Sequence, residues 1–246
     1  IRKKFFLENN VTFFNHAVPG GSIEDYMAIV GLYKQNKDYL PNEIIIGVDP
    51  WLFNKNNQRN DWKKLVKYYN FLRKEMSLEQ LHISDVSREK QWKQLINYEY
   101  TMSNIKSFIK LLLMGGRHYY VVNDTDVNDF VIDIDGSLHF PSKVKNVDEK
   151  VIKQKALLFL KDGNVYGLSE FHELNNIELF QQFIDYLQMN NVRVIFFMHP
   201  YNPIVYSSLQ INPKYFNLQH SEEHIRQIAD EKNICVLGSF DPSNEG

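Results

Sequence analysis

Three near-continuous apolar runs constrain this chain most: "IIIGV" at 44–48, "VRVIFF" at 192–197 and "ICVLG" at 234–238. A strand with one wet face alternates apolar and polar residues. A strand apolar at successive positions is covered on both faces, as in a parallel sheet flanked by helices. Helical periodicity fills the gaps between the runs. Ile177, Phe180, Phe183, Ile184 and Leu187 recur at helical spacing ahead of the second run, and a polar helix over about 222–232 precedes the third. Ahead of the first run, "VTFFNHAVPGG" reads as a strand ending in a Pro-Gly-Gly turn. Ser22, with Asp25 three residues on, marks a helix start that Tyr26, Ile29, Val30 and Tyr33 continue. A strand–helix–strand unit of this length implies a parallel pair joined by a right-handed crossover. The expected fold is α/β: a three-layer α/β/α sandwich with a mostly parallel, flavodoxin-like sheet and a mainly helical insertion. Residues 1–246 read as one domain, with the insertion over about 52–145 roofing the strand-end edge.

Within the insertion, Trp62, Leu65, Val66, Tyr69, Leu72 and Met76 share a helix face, and Lys63, Lys64, Lys67 and Lys74 fall largely off it. Such a helix packs on a core and keeps its basic face in water. "YYVVNDTDVNDFVIDIDGSLHFP" reads as a hairpin-like segment turning at Asp135-Gly136. The net charge of -2 gives no electrostatic case for nucleic acid. No apolar run reaches the roughly 18 residues of a membrane span. The single Cys235 excludes an internal disulfide framework and a multi-cysteine zinc site, and its place in "NICVLG" reads as a buried strand.

In open parallel sheets, ligands bind beyond the carboxyl ends of the strands. Three ends deliver unusual residues there: "FFNHAVPGG" with Asn15, His16, Gly20 and Gly21; "GVDPWLFN" with Asp49, Trp51 and Asn54; and "FFMHPYNP" with His199, Tyr201 and Asn202. A carboxylate, an imidazole and backbone N–H donors on one edge suit acyl or hydrolytic chemistry.

These blocks resemble the SGNH (GDSL-type) hydrolases, in particular bacterial proteins related to cell-surface polysaccharide O-acetylation. "FFNHAVPGGSIEDY" is similar to that superfamily's second block, whose glycine lends an N–H to the oxyanion hole; either Gly20 or Gly21 matches it. "IIIGVDPWLFN" stands where the third block, Gly-x-Asn-Asp, belongs. Gly47 fits, but Asp49 replaces the oxyanion Asn and Pro50 replaces the Asp. A carboxylate donates to an oxyanion only when protonated. The sequence has no Gly-Asp-Ser and no Asp-x-x-His, and the order of the blocks implies that both lie outside this chain, before Ile1 and after Gly246. The resemblance implies a serine esterase or O-acyltransferase acting on an acylated carbohydrate or a related cell-envelope component. Gly20 or Gly21 and Asp49 would be the catalytic contributions, and Asn15, Trp51, Asn54 and His199 would line the pocket. It implies no cofactor, no metal and no nucleic-acid partner, and any membrane association would run through segments outside the chain. The rival expectation is a non-catalytic carbohydrate-binding or scaffold protein that keeps the fold.

Other motifs have plainer readings. Ser22 follows a glycine turn, but a helix cap accounts for it. His220 and His224 lie four apart without a third ligand. Asp124, Asp126 and Asn128 open like a calcium loop, but Asp129 stands where that loop needs glycine. Asp135-Gly136-Ser137 is a turn and not a nucleophile motif.

Overall fold

The structure, a computed structural model, describes residues 13–18, 20–57, 59–81, 131–132, 136–162, 171 and 173–244. The chain divides into two compact units, one of residues 1–16 and 82–147, the other of residues 17–81 and 148–246.

The second unit is built on a three-stranded parallel sheet. β1 (Glu43–Gly47), β2 (Arg193–Met198) and β3 (Cys235–Gly238) lie in that spatial order. The register aligns Ile45 with Ile195 and Cys235, and Gly47 with Phe197 and Leu237. Among the described residues six helices accompany it: α1 (Ile23–Lys37), α2 (Val66–Glu75), α3 (Glu149–Asp162), α4 (Ile177–Met189), α5 (Pro203–Ile211) and α6 (Phe216–Glu231). The α/β class expected from the apolar runs is what the chain forms. The starts and stops follow local chemistry. Ser22 Oγ accepts from Asp25 N at 3.3 Å while Ser22 N donates to Asp25 Oδ2 at 2.9 Å, a complete capping box. Asp38, Asn191 and Asn233 follow α1, α4 and α6 with φ of 57°, 59° and 52°, the left-handed conformation that Asn and Asp tolerate best after Gly.

One face of the sheet carries the core. Ile46, Val48, Val194, Phe196 and Met198 are all buried there. Phe180 of α4 lies 5.5 Å from Phe196 and meets Phe53 edge to face at 5.5 Å. Each such fully buried side chain is worth roughly 1.5–3 kcal/mol of transfer free energy. The other face is drier only in its centre: Ile195 is buried, Leu237 is 44% exposed and Cys235 is exposed. That corrects the reading of Cys235 as a buried residue. Among the described residues β3 is an edge strand, and its Cys235 and Leu237 side chains point to this less covered face.

The N-terminal strand is also corrected. Phe13 and Phe14 lie in no strand, and Val11 and Thr12 fall outside the described residues. A strand needs a ladder partner for its N–H and C=O groups. Among the described residues β1 pairs with β2 alone, so the adjacent parallel pair joins segments distant in sequence.

The stripe of Trp62, Tyr69 and Leu72 packs inward as its spacing requires. Tyr69 and Leu72 are buried, Trp62 meets Tyr69 at 4.7 Å, and Lys63, Lys64, Lys67 and Lys74 are exposed. The segment enters as a 3-10 turn (Asp61–Leu65) before α2. Residues 52–81 thus belong to the second unit, while the remaining stretch up to residue 147 is grouped with the first. The calcium-like segment at 124–129 lies outside the described residues.

In the first unit, Val131–Ile132 pairs antiparallel with Leu138–His139, and Gly136 between them has φ +77°. A Cβ on Gly136 would sit 2.1 Å from the Asn15 carbonyl oxygen, so the turn needs glycine for space as well as for its backbone.

α1 and α2 approach through Gly31, where a Cβ would lie 2.2 Å from the Tyr68 carbonyl oxygen. Gly31→Ala is expected to destabilise the protein by about 1–3 kcal/mol in urea unfolding, although alanine is the better helix former by about 1 kcal/mol. An unchanged or raised midpoint would contradict this helix contact.

Candidate functional site

The carboxyl ends of β1 and β2 are held level by their register. Val48 N extends the ladder to the Phe197 carbonyl at 2.9 Å, and Asp49 follows in extended conformation. Pro50 then opens a 3-10 turn (Pro50–Phe53), and Leu52 N donates to the Asp49 carbonyl at 3.0 Å. The turn carries the chain off the sheet and leaves the Asp49 side chain at the strand mouth, half-buried. Burial raises its pKa from 3.8 to about 6. Among the described residues no cation or hydrogen-bond donor offsets that penalty.

Two phenols face this carboxyl electrostatically. Tyr26, on the first turn of α1, donates its hydroxyl to the Gly47 carbonyl at 2.8 Å. This bond ties the start of α1 to the end of β1. Burial pushes the Tyr26 hydroxyl pKa up, and the charges of Asp49 and Asp25 push it further. Tyr201, just beyond β2, is held by its N–H on the Phe240 carbonyl at 3.0 Å and by an edge-to-face contact with the Phe240 ring at 5.9 Å. Its hydroxyl is buried with no hydrogen-bond partner among the described residues, and its pKa is raised by burial first and by Asp49 second.

The glycine turn reaches the same edge through Tyr26. A Cβ on Gly21 would lie 2.9 Å from Tyr26 Cε1 and 3.2 Å from the Val18 carbonyl. The turn also separates the two glycines. Gly21 N donates to the Val18 carbonyl at 2.9 Å, so that N–H is occupied. Gly20 has φ +63°, and no hydrogen bond of its N–H is seen among the described residues. Ser22 is 1% exposed and engaged in its capping box, where no substrate reaches it.

His199 is exposed, with its ring edge to face with Phe197 at 4.5 Å. Its Cε1 lies 3.8 Å from where a Cβ on Gly47 would stand, so it borders the β1 end. Partial burial holds its pKa below the usual imidazole value. Trp51 is half-buried on the turn. Asn54 is buried, and its side-chain oxygen accepts from Asn56 N at 3.0 Å, so it shapes the loop. Asn202 caps α5 by accepting from Ile204 N at 3.0 Å. Asn15 and His16 belong to the first unit, where the His16 ring lies 4.4 Å from that of Phe14. The structure thus gathers Gly20, Gly21, Asp49, Trp51 and His199 at one end of the second unit's sheet and adds Tyr26. In the sequence Tyr26 was one more residue of a helical stripe, and nothing local signals that its hydroxyl reaches Gly47.

A second concavity, of about 380 Å³, opens at the end of β3 between Tyr206, Glu222, Arg226, Ser239 and Asp241. Glu222 organises its floor: it accepts from Arg226 at 2.8 Å, Ser239 Oγ at 2.8 Å and Phe240 N at 3.1 Å. His220 pairs with Glu223 at 3.2 Å, and no group of three metal-ligating side chains occurs among the described residues. Comparison with protein-family models, curated proteins and solved structures returned no match.

The raised folded-state pKa of Asp49 fixes a sign. The native chain holds that proton more tightly than the unfolded chain, so the contribution to stability is full below about pH 4 and is lost as pH rises through about 6. Asp49→Asn is expected to flatten this part of the stability–pH curve. At pH 8 it should raise stability by about 1–3 kcal/mol in chemical denaturation. A variant less stable than the parent at pH 8 would show that the charged form is favoured instead. Tyr26→Phe leaves the Gly47 carbonyl without this donor and is expected to cost about 1–2 kcal/mol by the same measurement.

Proposed function

We propose that this strand-end edge is the oxyanion and substrate side of an SGNH-type acyl-transfer site. The protein would act as a serine esterase or O-acyltransferase on an acylated carbohydrate or related cell-envelope component. Its nucleophilic serine and Asp-x-x-His would be supplied from outside these residues. The observation that carries the reading is the Tyr26–Gly47 hydrogen bond, which draws the glycine turn and the Asp49 turn to one edge. Gly20 is then the backbone donor, because the N–H of Gly21 is spent on Val18. Asp49 replaces the Asn of that site type. With a pKa of about 6 it can donate a hydrogen bond in mildly acidic solution, and above that it accepts one. The serine oxygen would attack the ester carbonyl, the oxyanion would be met by the Gly20 N–H, and the alcohol would leave with the proton taken up by the histidine. The finer architecture belongs to the same proposal: a second helical layer over the Ile45, Ile195 and Phe197 face completes a three-layer, flavodoxin-like sandwich.

One observation favours the non-catalytic rival. A ligand hydroxyl can donate to Asp49 and accept from the unpartnered Tyr201 hydroxyl, which is carbohydrate recognition without chemistry.

Assays of a chromogenic acetyl ester separate the readings. The protein extended by its flanking sequence should turn the ester over, while residues 1–246 alone should not. In the extended protein Gly20→Ala keeps the N–H but strains a backbone at φ +63° and so misaligns the donor; it should lower kcat/KM by about tenfold or more with the fold intact by circular dichroism. Turnover by residues 1–246 alone would sink the external nucleophile. An extended protein that binds an O-acetylated oligosaccharide without hydrolysing it would establish the rival.

A further inference from the structure

α3 presents an unusual outer surface. Its inner side is anchored by Ala156, which is 6% exposed, with Phe159 and Leu160 packed partly against the core. An amphipathic helix so anchored is expected to be polar elsewhere. Instead Val151, Ile152, Leu157 and Leu158 are 39%, 44%, 51% and 55% exposed, Ile152 standing at the margin of the anchored side. By the 3.6-residue period Val151 and Leu158 fall on one line along the helix. Lys150 and Lys161 lie to one side of that line and Lys155 to the other; Leu157 and Lys153 follow further round. All four lysines except Lys161 precede or interleave the exposed aliphatic residues, and the helix's two carboxylates stand only at its ends, Glu149 and Asp162. The helix carries four lysines against two carboxylates in a chain whose net charge is -2; the exposed lysines of α2, by contrast, are not interleaved with exposed aliphatic residues.

We propose that the outer face of α3 is an interfacial surface that seats on an anionic lipid bilayer, with its aliphatic side chains in the headgroup–acyl boundary and its lysines at the phosphates. The chemistry selects this occupant. Large exposed aliphatic side chains need an apolar environment, and lysines interleaved among them can bury their stems while keeping the ammonium at the polar level. A second copy of the chain is disfavoured, because face-to-face pairing would set lysines against lysines. The aliphatic residues spread over a wide arc and do not form one narrow ridge, which fits a fluid boundary better than the groove of a protein partner. This surface is independent of the strand-end site and does not rely on the acyl-transfer reading.

Flotation of the full chain with phosphatidylcholine vesicles containing about one-third phosphatidylserine tests it. The chain is expected to float with these vesicles, at least tenfold more than with pure phosphatidylcholine, and to be released by about 0.5 M salt, where the Debye length is only a few ångströms. Leu157→Asp with Leu158→Asp should abolish flotation, and so should replacing Lys150, Lys153, Lys155 and Lys161 by Gln. These residues are exposed, so both variants should keep the parent fold by circular dichroism. No flotation with the anionic vesicles, or equal flotation with both kinds, overturns the proposal. So does a concentration-dependent dimer in ultracentrifugation that the Leu157→Asp, Leu158→Asp variant dissolves.

Discussion

The second unit hangs on β2. It pairs on both edges, with β1 through Ile45 and Ile195 and with β3 through Phe196 and Val236. Because both pairings are parallel, the three carboxyl ends face one way. Because Phe196 and Met198 are fully buried, the sheet cannot slip by one residue without exposing its core set. What stands at each strand end is therefore set by register alone. Asp49 comes two residues beyond β1, His199 follows β2 directly, and Ser239 follows β3 directly.

At that edge polar groups are divided unevenly. Glu222 has every role filled, with donors from Arg226, Ser239 and the Phe240 N–H, and so joins α6 to the chain beyond β3. Asp49 and Tyr201 lie only a loop away and have none among the described residues. A carboxylate with three donors builds structure; one that burial has left without donors carries an electrostatic cost that a ligand can relieve. That contrast, and not the acidity of either group, is what marks the β1 end as the candidate site.

Features written in adjacent residues were legible in the sequence. The Ser22–Asp25 capping box, the Tyr69–Leu72 stripe and the glycine at 136 each depend on neighbours within a turn or two. Features that depend on the sheet's lateral order were not. The strand expected over "VTFF" is not formed at Phe13 and Phe14, because an apolar stretch becomes a strand only where a ladder receives it. The difference between Gly20 and Gly21 is one backbone hydrogen bond, from Gly21 N to Val18, which no side-chain pattern encodes. The proton affinity of Asp49 likewise comes from burial by elements distant in sequence, so its identity as an acid was visible while its charge state was not.

The exposed position of Cys235 carries a practical corollary. It is the chain's single thiol, and it stands on a strand that is, among the described residues, at the edge of the sheet, aligned with Ile195 on the central one. A maleimide dye or nitroxide attached there would occupy one defined address without any engineered residue. Its spectrum would follow the rim of the sheet itself, giving the molecule a built-in gauge of whether its last strand stays docked.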